Sequence, residues 1–119
     1  MRYLGHVDEP TLAALYESAS VLAFPSLYEG FGLPLLEAMA CGAPVVCSNA
    51  GPLPEVAGDA AVFLKPEDPA AWAATMLDVL TNTSLSEELR RRGFARSQEF
   101  SWERAAHATR EVYREALLA

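Results

Sequence analysis

Residues 21–48 read VLAFPSLYEGFGLPLLEAMACGAPVVCS. The first apolar run, Val21 to Phe24, is typical of a parallel strand buried on both faces, and Pro25 ends it because proline has no N–H for the sheet. The last run, Pro44 to Ser48, predicts another buried strand. Between them, apolar residues recur at helical spacing behind one proline and before Gly42, which predicts a helix from Pro34 to Cys41.

The loop between the first strand and this helix contains Gly30 and Gly32. Glycine is expected there if the backbone needs a positive φ, or if a ligand approaches without a Cβ in the way. A helix start offers unpaired N–H groups and roughly half a positive charge, which favours a phosphate or diphosphate. The alternative for the two glycines is a purely structural turn.

Two carboxylates flank this loop, with seven residues between them: Glu29 before the helix and Glu37 near its start. Neither belongs to the apolar stripe, so both can face one cleft above the helix start. Carboxylate oxygens accept protons from paired hydroxyls, which is how a protein holds a ribose or hexose without a metal. The alternative is that Glu29 caps the helix or favours its dipole and that Glu37 is simply solvated.

The flanking regions continue the alternation of strands and helices. Arg2 to Gly5 is predicted as a strand with His6 at its end, and Asp8 can cap the helix that follows. Leu53 to Ala57 predicts one helical turn, and Ala61 to Leu64 predicts the last short strand. Such alternation implies an α/β fold with a parallel sheet, whose ligands bind at the carboxyl ends of the strands.

From residue 68 onward the composition shifts to helix-forming residues. We predict a helix over Pro69 to Asn82, a second opened by Ser84 with Glu87 completing a capping box, and a third opened by Ser101. Apolar residues share one face of the third helix, and we expect most of them to pack on the core: Trp102, Ala105, Thr109, Val112 and Ala116.

The run from Phe24 to Gly42, continued by Pro44 to Val56, resembles the donor-binding half of the retaining family 4 (group 1) glycosyltransferases of GT-B fold. Tyr3 to Val7 resembles an earlier strand of the same domain, and Phe100 to Glu103 resembles its closing helix. The resemblance thus covers nearly the whole chain. It implies a parallel Rossmann-like sheet of about four strands flanked by helices, with a helical C-terminal segment.

The signature of that family is a pair of glutamates with seven residues between them, the EX7E motif, here Glu29 and Glu37. The resemblance implies that Glu29 contacts the transferred sugar at the catalytic centre and that Glu37 binds the ribose of the nucleotide. It also implies a nucleoside-diphosphate sugar as donor, with no metal or other cofactor. The residues whose backbone would face the diphosphate and sugar are Gly30, Phe31, Gly32 and Leu33.

The chain departs from the family pattern in two respects. The family domain opens with two further strands, whose loops bring a basic Arg and Lys pair to the diphosphate, and Arg2 and Lys65 do not sit in such a motif. The acceptor-binding domain with its catalytic histidine is also missing, and His6 is expected to be structural. Without the two strands the sheet would have an open edge, so we predict a homodimer formed by edge pairing or exchange of the first strand.

Length and charge narrow the class of protein. We expect 119 residues to form a single partial nucleotide-sugar-binding domain, with the strand and helix alternation in residues 1–66 and a helical segment in 67–119. A formal net charge of −7 argues against nucleic acid or an anionic membrane as partner. No apolar run approaches the roughly 20 residues that cross a bilayer, and no signal peptide is recognisable, so we expect a cytoplasmic protein.

Cys41 and Cys47 lack metal-site spacing and are expected to be buried thiols.

Two functions remain open at this point. The first is the donor-binding portion of a retaining hexosyl glycosyltransferase, inactive without its partner domain. The second is a non-catalytic interaction or oligomerisation module that no longer binds a donor, which the absent basic pair favours. An unrelated nucleotide-binding α/β domain ranks last, because the chain has neither the dinucleotide glycine fingerprint nor a P-loop lysine.

Overall fold

The computed structural model describes residues 1–119 as six helices and three strands, which confirms the α/β class. Each strand is followed by a helix, and the last two helices follow without another strand. None of the helices is both long and apolar enough to cross a bilayer. The elements are α1 (Glu9–Ser18), β1 (Leu22–Phe24), α2 (Leu33–Ala40), β2 (Val45–Ser48), α3 (Leu53–Ala57), β3 (Ala61–Leu64), α4 (Pro69–Thr81), α5 (Thr83–Ser97) and α6 (Trp102–Leu118).

The sheet has the strand order β1-β2-β3, and both pairings are parallel. In register, Ala23 of β1 lies beside Val46 of β2, which lies beside Val62 of β3. All four residues of β2 are buried, whereas β1 and β3 are half-buried. Because the strands are parallel, the loops that follow them leave the sheet at the same edge.

Helices cover both faces of the sheet, and side chains of β2 alternate between the two. Val45 and Cys47 point into the larger apolar cluster, which includes Leu35 and Met39 of α2 and Leu53 of α3. Val46 points the other way, into a cluster with Trp72 and Val79 of α4 and Leu89 of α5. The larger cluster therefore lies beneath α2 and α3, the two helices that follow the first two strands.

The predicted strand at Arg2 to Gly5 does not form, and the sheet has three strands instead of about four. Tyr3 is 95% exposed, and no neighbouring strand offers these residues hydrogen-bond partners. A strand needs such a neighbour, because its N–H and C=O groups have no partners within the strand itself. His6 accordingly does not end a strand, and β1 pairs only with β2.

The predicted capping box of Ser84 and Glu87 is also wrong. The N-cap of α5 is Asn82, whose side-chain Oδ1 accepts a hydrogen bond from the Leu85 N–H at 3.2 Å. Asn82 is at the same time the C-cap of α4, so α4 and α5 meet at one residue. Because no loop separates the two helices, α5 begins before Ser84. The predicted caps Asp8 and Ser101 are confirmed, because the side-chain oxygen of each accepts a hydrogen bond from the backbone N–H three residues on.

The apolar stripe of α6 does not pack on the core, contrary to the prediction. No residue of α6 is buried, and the side chains of Trp102 and Val112 are 86% and 62% exposed. Helical periodicity correctly indicated an amphipathic helix, but it does not specify which surface the apolar face meets. No other element of the chain covers this face.

Candidate functional site

Two loops meet at the carboxyl edge of the sheet. The glycine loop, residues 26–32, follows β1, and residues 49–52 follow β2. The hydroxyl of Ser48, at the end of β2, donates a hydrogen bond to the backbone carbonyl of Ser26. Gly51, in the loop after β2, lies close to the glycine loop: a Cβ built on Gly51 would be 3.5 Å from the Glu29 carbonyl oxygen. The glycine loop is therefore held against its neighbour at both of these points.

Glu29 is half-buried, and its carboxylate is held by a serine of the same loop. The Ser26 hydroxyl lies 3.0 Å from Glu29 Oε1 and 2.9 Å from the Tyr28 carbonyl oxygen, so its single proton serves one of the two at a time. The other carboxylate oxygen, Oε2, accepts no hydrogen bond from the chain. Glu29 thus has a defined position with acceptor capacity left for a ligand hydroxyl.

Glu37 is the fifth residue of α2 and is exposed. Its Oε2 accepts a long hydrogen bond, 3.4 Å, from the phenol of Tyr16 on α1. Burial, and secondly the charge of Glu37, raises the pKa of Tyr16, so this phenol keeps its proton and acts as the donor. Glu37 and Glu29 share no hydrogen-bond partner. In sequence they lie on either side of the helix start, and each contacts a different neighbour, Glu29 at Ser26 and Glu37 at Tyr16.

The backbone of the glycine loop carries four successive unpaired donors. The N–H groups of residues 30–33 make no hydrogen bond to any backbone or side-chain acceptor of the chain. Pro34, next along, has no N–H, and the Leu35 N–H already donates to the Gly32 carbonyl at 3.0 Å. Gly32 is the N-cap of α2 and makes no side-chain capping bond. The unpaired donors at this helix start therefore belong to Gly30, Phe31, Gly32 and Leu33, of which Gly32 is a buried residue.

The two glycines of the loop have different reasons to be glycine. Gly32 has φ = 99°, and a Cβ on it would lie 2.5 Å from Cδ2 of Leu53, so the structural explanation applies to it. Gly30 has no positive φ, and a Cβ there would meet nothing within 4 Å. Gly30 therefore has neither structural reason to be glycine, and the approach of a ligand stays a prediction.

Two residues that support the loop, Ser26 and Ser48, were not identified from the sequence. Ser26 precedes Glu29 by three residues, a spacing that could have indicated the hydrogen bond between them. Ser48 could not have been found, because its hydrogen bond joins the end of β2 to the loop that follows β1, a contact between residues distant in sequence. Lys65 follows β3 at the same edge of the sheet and forms no ion pair. No three His, Cys, Asp or Glu side chains lie close enough together to hold a metal ion.

Residues 1–96 match the sequence model of the family described as "Glycosyl transferases group 1". The chain is 47% identical over 114 residues to O-antigen chain mannosyltransferase B of Escherichia coli, covering 96% of this chain and 30% of that protein. It is 37% identical over 113 residues to D-inositol 3-phosphate glycosyltransferase of Paenarthrobacter aurescens, covering 93% of this chain and 28% of that protein.

A solved structure, sucrose-phosphate synthase from Thermosynechococcus elongatus, superposes with a TM-score of 0.85 at 33% identity. The superposition covers 98% of this chain and 30% of that one. The chain thus spans at most about a third of the length of these three relatives.

Proposed function

The chain belongs to the group 1 glycosyl transferases of GT-B fold, and on that premise we propose that it is the donor-binding portion of a retaining enzyme that transfers a hexosyl group from a nucleoside-diphosphate sugar. The relatives are about three times as long. The acceptor site is therefore assigned to the remainder of such a protein, and residues 1–119 alone are expected to be inactive.

The observation that carries this proposal is the row of unpaired N–H groups at residues 30–33, beside the positioned carboxylate of Glu29. When the glycosidic bond of the donor breaks, negative charge develops on the leaving diphosphate. Fixed N–H donors at a helix start stabilise such charge without reorganising during the reaction. This is also why the proposed reaction requires no metal or other cofactor.

The two carboxylates divide the sugars of the donor between them. Glu29 Oε2 is free to accept a hydroxyl proton of the transferred hexose, next to the bond that breaks. Glu37, the exposed fifth residue of α2, accepts hydroxyl protons of the ribose. The 47% identical relative is a mannosyltransferase, which favours a mannosyl group among the hexoses.

The test is calorimetric titration of the chain with UDP, GDP and ADP. We expect one of them to bind, and Glu37→Ala to weaken that binding by about 1.5–3 kcal/mol, roughly ten- to hundredfold, through the lost ribose hydrogen bonds. Glu17→Ala is the matched control, because Glu17 is an exposed carboxylate on α1. Glu29→Ala should leave diphosphate binding nearly intact and reduce the preference for the nucleotide sugar. No binding of any of the three by the unmodified chain would contradict the proposal.

A second candidate function is an interaction module, in which the half-domain assembles through its exposed surfaces. Two observations favour it: β1 pairs on one side only, and the apolar face of α6 is uncovered. An unpaired strand edge is a template for a second copy, which leads to the homodimer expected from the sequence. Sedimentation equilibrium at high protein concentration tests it, and a monomer throughout would exclude this assembly.

A further inference from the structure

Phe31, between Gly30 and Gly32, has an apolar side chain that can anchor the donor-bearing part of the glycine loop. The Phe31 ring packs edge-on against the ring of Phe100, with centroids 6.1 Å apart and planes at 77°. This is the favoured arrangement of two aromatic rings. Phe100 comes just before α6, far along the chain from the loop, and it also packs against the larger apolar cluster.

Phe100 is in turn covered by Arg96 of α5, whose guanidinium carbon lies 5.0 Å from the centre of the ring. The guanidinium has little freedom to move away. Its Nε donates to the Val56 carbonyl at 2.8 Å, one terminal nitrogen donates to the Glu55 carbonyl at 2.6 Å, and the other pairs with Glu99 at 2.6 Å. These three partners hold the Arg96 guanidinium in place over the Phe100 ring.

The same arginine reaches the loop by a second route. The carbonyls that it binds belong to α3, and α3 begins with Leu53, the side chain against which Gly32 is packed. Arg96 therefore connects two contacts of the donor-bearing residues, one at Phe31 through Phe100 and one at Gly32 through α3. The contacts at Ser26 and Glu29, at the other end of the loop, do not involve Arg96. Its charge is already paired with Glu99, so it acts through geometry.

We propose that Arg96 and Phe100 are positioning residues for the donor site: they hold the backbone N–H groups of residues 30–33 in the arrangement that receives the diphosphate. This inference rests on the proposed function, since it specifies how that same site is kept in shape. Neither residue touches the donor. The apparent affinity for the nucleotide is proportional to the fraction of molecules whose loop is in the anchored conformation, so it falls when that fraction falls.

The variants are Phe100→Leu, which removes the ring, and Arg96→Met, which removes the guanidinium but keeps an unbranched stem. Phe100→Tyr keeps the ring and serves as the conservative rescue. The matched controls are Phe94→Leu and Arg91→Met, which alter an exposed phenylalanine and an exposed arginine elsewhere on α5.

The first readout needs no ligand: NMR order parameters of the Gly30, Phe31 and Gly32 amides. We expect rigid values of about 0.85 in the unmodified chain and in the controls, and values below about 0.6 in Phe100→Leu and Arg96→Met. Residues 45–48 of β2 should stay rigid in every variant. Unchanged loop order parameters in a folded Phe100→Leu chain would overturn the inference.

The second readout is the Kd of whichever of UDP, GDP and ADP binds the unmodified chain. If the anchored conformation falls to about a tenth of the population, the Kd of Phe100→Leu and Arg96→Met rises about tenfold, while Phe100→Tyr stays within about twofold. Equal affinity in all variants would overturn the inference. Loss of loop order without nucleotide binding by the unmodified chain would instead refute the proposed function and retain the anchor.

Discussion

Replacing Gly32 by alanine is expected to destabilise this fold more than the same change at any other glycine of the loop. Two costs combine at this position. The backbone φ of 99° is one that residues with a Cβ rarely adopt, and the new Cβ would lie 2.5 Å from Cδ2 of Leu53. That methyl is the end of a side chain, but Leu53 is fully buried, so rotating it moves the overlap onto another neighbour.

The magnitude follows from these two terms. A non-glycine residue held at positive φ costs about 1–3 kcal/mol, and forcing a methyl group into a packed core costs about 1–3 kcal/mol. Their sum, about 2–6 kcal/mol, is a large part of the 5–15 kcal/mol that typically stabilises a domain. We therefore expect Gly32→Ala to lower the urea midpoint strongly with little change in the slope of the transition.

Two other glycines separate the terms. Gly42 has φ = 81° with nothing within 4 Å of the added Cβ, so Gly42→Ala measures the backbone cost alone, about 1–3 kcal/mol. Gly30 has neither feature, so Gly30→Ala should be nearly neutral, or stabilising by about 0.4–1 kcal/mol. Urea unfolding followed by far-UV circular dichroism gives all three free energies. The reasoning would be refuted if Gly32→Ala proved as stable as Gly30→Ala.

Two further predictions concern ionisation. Hydrogen bonds from Arg91 and Arg92 lower the pKa of Glu88 to about 2, so the stability contributed by this carboxylate is complete above its ordinary pKa of 4.5 and is lost as the pH falls toward 2. Glu88→Gln should therefore flatten the fall in Tm over that range, and an unchanged slope would show that the pairing contributes nothing. Burial raises the pKa of Cys47 to about 12, so at about pH 8 a thiol reagent should label only the half-buried Cys41 in the folded chain and both thiols in guanidinium chloride. Two rapidly reacting thiols in the folded chain would contradict this.

Much of the fold could be predicted from local pattern. The strand predicted at Ala61 to Leu64 and the helical turn at Leu53 to Ala57 agree with the structure, and the helix predicted from Pro34 is displaced by one residue at each end. These elements are specified by short-range features such as apolar spacing, proline and glycine at helix ends, and caps within one turn. The strand at Arg2 to Gly5 failed because its apolar residues have no sheet neighbour.

The candidate site divides in the same way. The sequence indicated two carboxylates flanking a glycine loop. In the structure Glu29 is half-buried in that loop, and Glu37 is the exposed fifth residue of α2. The hydrogen-bond partner of the carboxylate was predictable from the sequence for Glu29 but not for Glu37. Ser26 lies close to Glu29 in sequence, whereas Tyr16 meets Glu37 only because α1 packs beside α2.

By itself, the sequence determined the order of the strands and helices from α1 onward, the glycine loop between β1 and α2, and the family to which the chain belongs, because these are properties of short segments. The tertiary structure alone decided which contacts those segments make. It leaves the N–H groups of residues 30–33 unpaired, brings Phe100 onto Phe31, and leaves the apolar face of α6 uncovered. The physical reason is that these features depend on which distant group occupies the space beside a residue, and that is settled only when the whole chain packs.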